Sequence, residues 1–389
     1  MKLLVLIDDY PSDKNLYSNV FAHARVKEYI KLGYIVEVVI TSNYKSVEDY
    51  VYEDVKVFGS AKITDIKKKI TDFKPDAILV HFALGRIIKH ILTKDSKTPT
   101  IIWVHGYEAL GWYRRLFNFD PFVLKTYYKL LSLIFRNTIQ LYFFRQLIKF
   151  ANQNKNIDFV FVSEWMKGIA AKDCLIRIKN SEIIGNPIDD SLFYYQEKNE
   201  SMRFNILMIR PFNSKKYGTD LVTEALIILK KNPIFENLNF TIVGKDAEKS
   251  KLFSHFKDAK NVMIKGTFLD QKSIKVLHDQ NGVFLAISRQ DAQGVSMCEA
   301  MSSGLAIISS NNTAIPEFIP DYQGGLLSNN TPSDIANKIL EIVENKALFL
   351  KLSKQGSEFI RKKVGFESII NQELNVINKS IKRNDANII

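Results

Sequence analysis

Two series of short apolar runs, spaced by longer amphipathic stretches, constrain this chain more than any other feature. Leu3–Ile7, Ile35–Ile40, Ala77–His81, Thr100–Val104 and Asp158–Val162 read as strands. The stretch Leu16–Leu32 reads as a helix stopped at Gly33, a residue suited to a left-handed cap. After about residue 190 the pattern restarts, with strands expected at Asn205–Ile209, Leu238–Val243, Asn261–Lys265, Val283–Ile287 and Leu305–Ser309. Helices are expected between them, notably at Tyr217–Lys230 and Gln271–Gln280. Continuous apolar strands alternating with helices predict parallel sheets covered on both faces. A length of 389 residues, at roughly 150 per domain, leaves room for two such units. The fold class is therefore α/β, with two doubly wound units in tandem and a cleft between them. The boundary is expected at Gly185-Asn186-Pro187-Ile188-Asp189-Asp190, which is turn-rich and without periodicity. Ligands of such sheets sit at the carboxyl ends of strands, so chemistry is sought in the loops that follow them.

Composition narrows the class. With 46% hydrophobic and 25% charged residues, disorder and fibrous repeats are excluded. Cys174 and Cys298 lie far apart with no metal-ligand spacing, and read as buried reduced thiols of a reducing compartment. The run Leu3–Ile7 meets Asp8 and Asp9, so it reads as a strand and not as a leader peptide. No uncharged stretch approaches the roughly 20 residues that a bilayer span needs.

The formal net charge of +12 is unevenly spread. Residues 1–185 carry 28 Lys and Arg against 19 Asp and Glu, whereas residues 186–389 carry 26 against 23. Segment 101–150 holds seven basic and two acidic residues, and 14 of its 50 residues are aromatic. A basic surface attracts anions, and basic with aromatic residues points to a membrane surface. Nothing modular or periodic supports nucleic-acid binding. Within this segment, Pro121–Phe150 places Lys125, Lys129, Ser132, Arg136 and Gln140 at three- and four-residue intervals among Leu, Ile, Phe and Tyr. That is a helix with a wide apolar face and a narrow basic stripe. It suits either the core of the first domain or contact with anionic lipid, with a partner protein's groove as a further alternative.

The most informative stretch is Ser288 to Gly304. Asp291 and Glu299 stand eight residues apart, around Gly294, which permits close backbone approach. From Val295 the chain should turn helical. A loop-to-helix junction offers free N–H groups and a positive dipole end, suited to a diphosphate. A nearby carboxylate suits hydroxyls. Diphosphate plus hydroxyls describes a nucleotide sugar. After strand Asn205–Ile209 come Arg210 and Lys215-Lys216, fixed cations able to neutralise a leaving diphosphate. In the first half, His105 follows Thr100–Val104, with Glu108, Arg114 and Arg115 beyond it. A histidine there can bond a hydroxyl or move a proton. His81 is the weaker candidate. No Cys or His neighbours suggest a metal site.

These residues resemble a known family, the retaining GT-B glycosyltransferases of family 4 (glycosyl transferases group 1). Asp291 and Glu299 with Ala300-Met301-Ser302-Ser303-Gly304 look like its two carboxylates with seven residues between them, followed by an Ala-Met-Ala-x-Gly run. Arg210 with Lys215 or Lys216 resembles its diphosphate-binding pair, and Asn186-Pro187-Ile188-Asp189 its interdomain turn. Val243-Gly244, Ala314-Ile315-Pro316-Glu317, and Gly324-Gly325-Leu326-Leu327 with Asp334 follow in family order. The sequence departs in having Asp at 291 where Glu is usual and Tyr217 where Lys is expected. After the first strand, Asp8-Asp9-Tyr10-Pro11-Ser12, with Asn15 and Tyr17 downstream, stands where the family has a glycine-rich loop.

The resemblance implies two Rossmann-like domains facing across a cleft. An acceptor domain would span 1–185 and a nucleotide-sugar domain 186–365, with a helix from 366 to 389 crossing back to the first. Glu299 would hold the ribose hydroxyls, with Gly294, Val295, Arg289 and Gly244 completing the nucleotide-sugar site. Asp291 and His105 would touch the donor sugar, and Arg210 with Lys216 or Lys215 the leaving diphosphate. The reaction would be hexosyl or N-acetylhexosaminyl transfer, retaining and metal-independent, without a resident cofactor and with a UDP-sugar as donor. The acceptor would be a saccharide, lipid-linked, in bacterial surface polysaccharide synthesis. The enzyme would then be cytoplasmic, at the anionic inner face of the cell membrane. Alternatives are a soluble transferase with a small or protein acceptor, a non-catalytic nucleotide-sugar-binding subunit, and a sugar-nucleotide epimerase.

Overall fold

The strands of the first unit are β1 (Lys2–Ile7), β2 (Ile35–Ile40), β3 (Tyr50–Tyr52), β4 (Val55–Gly59), β5 (Ala77–His81), β6 (Thr100–Val104), β7 (Ile157–Phe161) and β8 (Ser181–Ile183). They form one sheet in the order β3-β4-β2-β1-β5-β6-β7-β8, parallel throughout except that β3 runs against β4. All five residues of each of β5, β6 and β7 are buried. Sheets covered by helices on both faces require such continuous apolar strands. The computed structural model describes residues 1–386 apart from 14, 16–17, 42–47, 60–61, 93–96, 120–123, 213, 246, 248–250 and 257; of 124–126, 251 and 385–386 only the backbone is described.

The helices of this unit are α1 (Val20–Lys31), α2 (Ile63–Phe73), α3 (Gly85–Ile91), α4 (Leu124–Gln153) and α5 (Glu164–Asp173). Gly33, at φ 88°, closes α1 as expected from sequence. The start of α1 differs from expectation. It begins at Val20 and not at Leu16, and Leu16 and Tyr17 lie outside the described residues. Asn19 sits in the left-handed region at φ 49°, its amide nitrogen donating to Asp8 Oδ1 at 3.0 Å and to the Asp9 carbonyl at 2.8 Å. Tethered to the end of β1, it cannot continue a helix towards residue 16. Helix α4 covers the expected Pro121–Phe150 segment from Leu124 onwards, residues 121–123 lying outside the description. It buries Phe144, Leu147, Ile148 and Ala151.

The second unit contains β9 (Asn205–Ile209), β10 (Asn239–Val243), β11 (Val262–Lys265), β12 (Val283–Ala286), β13 (Ala306–Ser310) and β14 (Gly325–Ser328). Its sheet is wholly parallel, in the order β11-β10-β9-β12-β13-β14. Its helices are α6 (Thr219–Leu229), α7 (Gln271–Gln280), α8 (Val295–Ser302), α9 (Ile315–Phe318), α10 (Pro332–Glu344) and α11 (Lys346–Val364). Leu226, Phe235, Leu285 and Ile339 lie in the core that the sheet and helices share.

The chain divides between Asn186 and Pro187. One compact unit is Met1–Asn186 with the residues from Ile369 onwards, and the other is Pro187–Ser368. The last helix, α12 (Phe366–Ala386), thus contributes most of its length to the first unit. Glu373 of α12 explains this assignment. Its fully buried carboxylate accepts from Arg25 Nε at 2.8 Å and from the Tyr29 hydroxyl at 2.5 Å, both on α1.

In each sheet the chain winds outwards from an interior strand. β1 lies between β2 and β5, and β9 between β10 and β12. These are the points where strand order reverses, and doubly wound sheets open a ligand crevice there at the strands' carboxyl ends.

Candidate active site

In the second unit the loops after β9, β10 and β12 meet at this reversal. Arg210 follows β9 and is buried, with its backbone N–H on the Val243 carbonyl at 3.0 Å. Its side chain donates from Nη1 to Ser296 Oγ, 2.8 Å away in the first turn of α8. Its Nε is buried and without a partner among the described residues. Loss of hydration pulls the guanidinium pKa down, while Asp291 and Tyr217 raise it. Gly244 makes the approach possible. A Cβ there would stand 1.8 Å from the Arg210 carbonyl oxygen, so no side chain fits.

The two lysines differ. Ser214 Oγ accepts from the Lys216 N–H at 3.2 Å and opens a tight turn over Lys215–Tyr217, which ends at Gly218 with φ 59°. Lys215 is exposed and Lys216 half-buried. The Lys216 ammonium lies 5.2 Å from the centre of the Tyr217 ring, and the Arg210 guanidinium 5.5 Å from the same ring. One aromatic ring therefore gathers two cations. Lys216 is the lysine that shares a ring with Arg210.

Arg289 is committed differently from its sequence expectation. Both terminal nitrogens bond Asp220 of α6, at 2.7 and 2.8 Å, and Nη1 also donates to the Lys215 carbonyl at 2.6 Å. With its backbone N–H on the Lys216 carbonyl at 2.7 Å, it braces the lysine turn through a bidentate pair.

Asp291 stands at the same rim. Its Oδ1 accepts from the Gly294 N–H at 2.9 Å and from the Gln293 N–H at 3.3 Å. Gly294, at φ 79°, turns the chain into α8. Val295 and Ser296 then open the helix, where N–H groups have no intrahelical acceptor. Glu299 lies one turn further on. It is half-buried, and its carboxyl makes no hydrogen bond or ion pair among the described residues. Lost hydration, and then the neighbouring Asp189 carboxylate, raise its pKa to about 8.

His105 belongs to the first unit. It follows β6, with its Nε2 3.0 Å from His81 Nδ1 and the two rings stacked at 25°. Burial, and then the Arg25 charge, hold its pKa down at about 3, so the imidazole is neutral near pH 7 and acts as a hydrogen-bonding group. Glu108 is fully buried and accepts the backbone N–H groups of His105 at 2.5 Å and Gly106 at 3.0 Å. Its own carboxyl is pushed up to about 7 by burial. After β1, Asp8 accepts from the Tyr107 hydroxyl at 2.7 Å and from Asn19. Of the first-loop candidates, Tyr17 lies outside the described residues, and Asn15 pairs with Ser12 through backbone bonds. Among the described residues no group of three or more His, Cys, Asp or Glu could hold a metal ion.

Sequence reading missed Ser296 as the Arg210 partner and Asp220 as the anchor of Arg289. Ser296 lies two residues after Gly294, at a helix entrance already marked as a ligand-binding junction, which was the available signal. Asp220 carries none beyond its place next to Thr219.

Residues 195–362 match the family described as glycosyl transferases group 1. A 167-residue stretch is 31% identical to the poly(ribitol-phosphate) alpha-N-acetylglucosaminyltransferase of Staphylococcus aureus, covering 41% of this chain and 32% of that protein. The chain thus spans about a third of that relative's length. Sucrose-phosphate synthase from Thermosynechococcus elongatus superposes with a TM-score of 0.74 at 14% identity, over 97% of this chain and 99% of that one. Anabaena HepE in complex with UDP-glucose superposes with a TM-score of 0.68 at 13% identity, over 97% and 100%. The fold expected from the sequence, GT-B with two parallel-sheet Rossmann-like domains, is the one found.

Proposed function

We propose that this GT-B chain, whose residues 195–362 are a glycosyl transferases group 1 domain, is a retaining glycosyltransferase with a nucleotide-diphosphate sugar as donor. One observation carries the reading. The carboxyl of Glu299 has no partner among the described residues, on a helix whose first turn holds Ser296 against Arg210, and Lys216 shares the Tyr217 ring with that arginine. Ribose hydroxyls supply what Glu299 lacks, and a diphosphate supplies what Arg210 and Lys216 lack.

In the transfer, the bond from the sugar C1 to the diphosphate oxygen breaks and a bond from C1 to the acceptor oxygen forms on the same face. The electron pair of the broken bond leaves with the diphosphate, where Arg210 and Lys216 offset the growing charge. The acceptor hydroxyl proton passes to that leaving oxygen. Asp291 orders the Gln293–Gly294 backbone beside the sugar. The chain's own cations and the α8 entrance carry the diphosphate charge, which makes the reaction metal-independent.

The donor is a UDP-sugar, hexosyl or N-acetylhexosaminyl. The structural relative with UDP-glucose and the N-acetylglucosaminyltransferase of Staphylococcus aureus support that class. The acceptor is a saccharide on a lipid carrier at the anionic cytoplasmic face of the membrane, which the basic surplus of residues 1–185 favours. No helix among the described residues is long and apolar enough to cross a membrane.

A thermal-shift panel of nucleotides and UDP-sugars tests the donor half. A ligand at 100 times its dissociation constant adds about 2.7 kcal/mol of stability. Stabilisation by UDP and one UDP-sugar, lost in Glu299→Ala, is the expected result, and the absence of any nucleotide shift rejects it. The engagement of Asp291 with its own loop favours a second reading, nucleotide-sugar binding without transfer. Stabilisation by a UDP-sugar that stays uncleaved across a panel of acceptors selects that reading.

A further inference from the structure

The first unit carries a groove that the donor chemistry leaves unused. It has a volume of about 810 Å³ and lies along one side of α4, below Leu84 and Tyr107. That size falls in the range of small-molecule sites. Leu133, Phe135, Ile139 and Phe143 give it an apolar wall. Arg86, Arg115, Lys129 and Arg136 stand around it, and among the described residues no Asp or Glu lines it. Arg115 is half-buried and makes no ion pair or hydrogen bond among the described residues. Its pKa is lowered by lost hydration, with Glu108 and Tyr107 opposing. An apolar wall bordered by four cations is complementary to an apolar chain that ends in an anion.

The groove opens onto a second feature. Tyr128, Leu131, Phe135, Ile139 and Tyr142 recur at three- and four-residue steps, which places them on one face of α4. Tyr128, Leu131, Phe135 and Tyr142 are 75%, 64%, 69% and 58% exposed. Phe135 and Ile139 belong both to this face and to the groove. The helix thus shows water an apolar strip, an unfavourable arrangement unless something covers it. Lys129, Arg136 and Gln140 of the polar stripe line the groove.

We infer that this groove binds a single-chain lipid phosphate, with the chain along Leu133, Ile139 and Phe143 and the phosphate between Arg115 and Arg136. The chain enters from the exposed strip of α4, which rests at the lipid surface. Naming this ligand as the carrier of the acceptor saccharide rests on the transfer reading above. The binding itself does not, and it is measured without nucleotide or turnover.

The test is calorimetric titration of the full chain with dodecyl phosphate below its micelle threshold. Inorganic phosphate and dodecanol serve as the head-only and tail-only probes. Dodecyl phosphate should bind at least about tenfold more tightly than either, since charge-assisted bonds and chain burial act together. Arg115→Gln with Arg136→Gln should weaken it by about tenfold or more, and Leu133→Trp should weaken it by narrowing the groove while leaving every charge in place. Both variants should keep the melting temperature of the parent. Equal binding in the parent and both folded variants overturns the site. So does binding of phosphatidylglycerol vesicles with no binding of dodecyl phosphate, which would make α4 a membrane-resting face only. A UDP shift that persists while dodecyl phosphate fails overturns the groove and leaves the donor reading standing. Dodecyl phosphate binding with no UDP shift supports the groove and rejects the donor reading.

Discussion

Glu299 holds its proton near neutral pH because the folded chain places it where neither water nor a cation stabilises the charge. Its pKa rises from an ordinary 4.5 to about 8, so the folded state binds a proton that the unfolded state releases. Stability contributed by the protonated group is present below about 4.5 and is lost as pH rises through about 8. Glu299→Gln should therefore raise the melting temperature relative to the parent more at pH 9 than at pH 5. The opposite trend would remove the buried proton. Hydroxyls bond the ionised form more strongly, so UDP affinity should increase from pH 6 to pH 9 by more in the parent than in Glu299→Gln. Arg210 is tested by rate. Loss of an electrostatic contact to a leaving group costs about 3 kcal/mol, so Arg210→Ala should lower kcat/KM on the order of a hundredfold, and an unchanged kcat would reject the role.

At the scale of elements, the site is a product of how neighbouring strands end. Gly244 after β10 leaves room for the carbonyl of Arg210 after β9, and a methyl group would collide with it at 1.8 Å. Gly244→Ala should therefore push Arg210 off Ser296 and weaken UDP binding, with the loss read by calorimetry. Retained affinity would show that Arg210 is not held by this approach. Most strands were legible because both faces of a parallel strand are buried, which leaves continuous apolar runs such as Ile101–Val104. The β3–β4 hairpin was not. Its turn residues Glu53 and Asp54 take φ 44° and 67° without a glycine to signal it. The start of α1 was missed because Asn19 is fixed by Asp8 and Asp9, a tertiary contact and not a propensity. Within the candidate site, the placement of Arg210 after β9 and of Asp291 in the loop after β12, with Glu299 on the helix that follows, was legible from the strand pattern. The Arg210–Ser296 and Arg289–Asp220 bonds join residues 86 and 69 apart, a separation that no local pattern reports.

For the whole molecule, the ion pair between Arg25 and Glu373 ties the end of the chain to its beginning. Both side chains are buried, and Tyr29 shares the carboxylate. Removing one partner of a buried pair leaves an uncompensated charge and costs about 3–5 kcal/mol. Glu373→Ala should thus destabilise the first unit by that amount in urea unfolding, whereas the UDP shift, which belongs to residues of Pro187–Ser368, should survive wherever the protein remains folded. The same helix has a consequence for biosynthesis. The first unit lacks α12 until the roughly 180 residues of Pro187–Ser368 have been translated. At roughly 5–20 residues per second, that delay lasts about 10 to 35 s. During that time the nascent first unit carries Arg25 without Glu373 beside it, and a product truncated before Glu373 has its defect on α1.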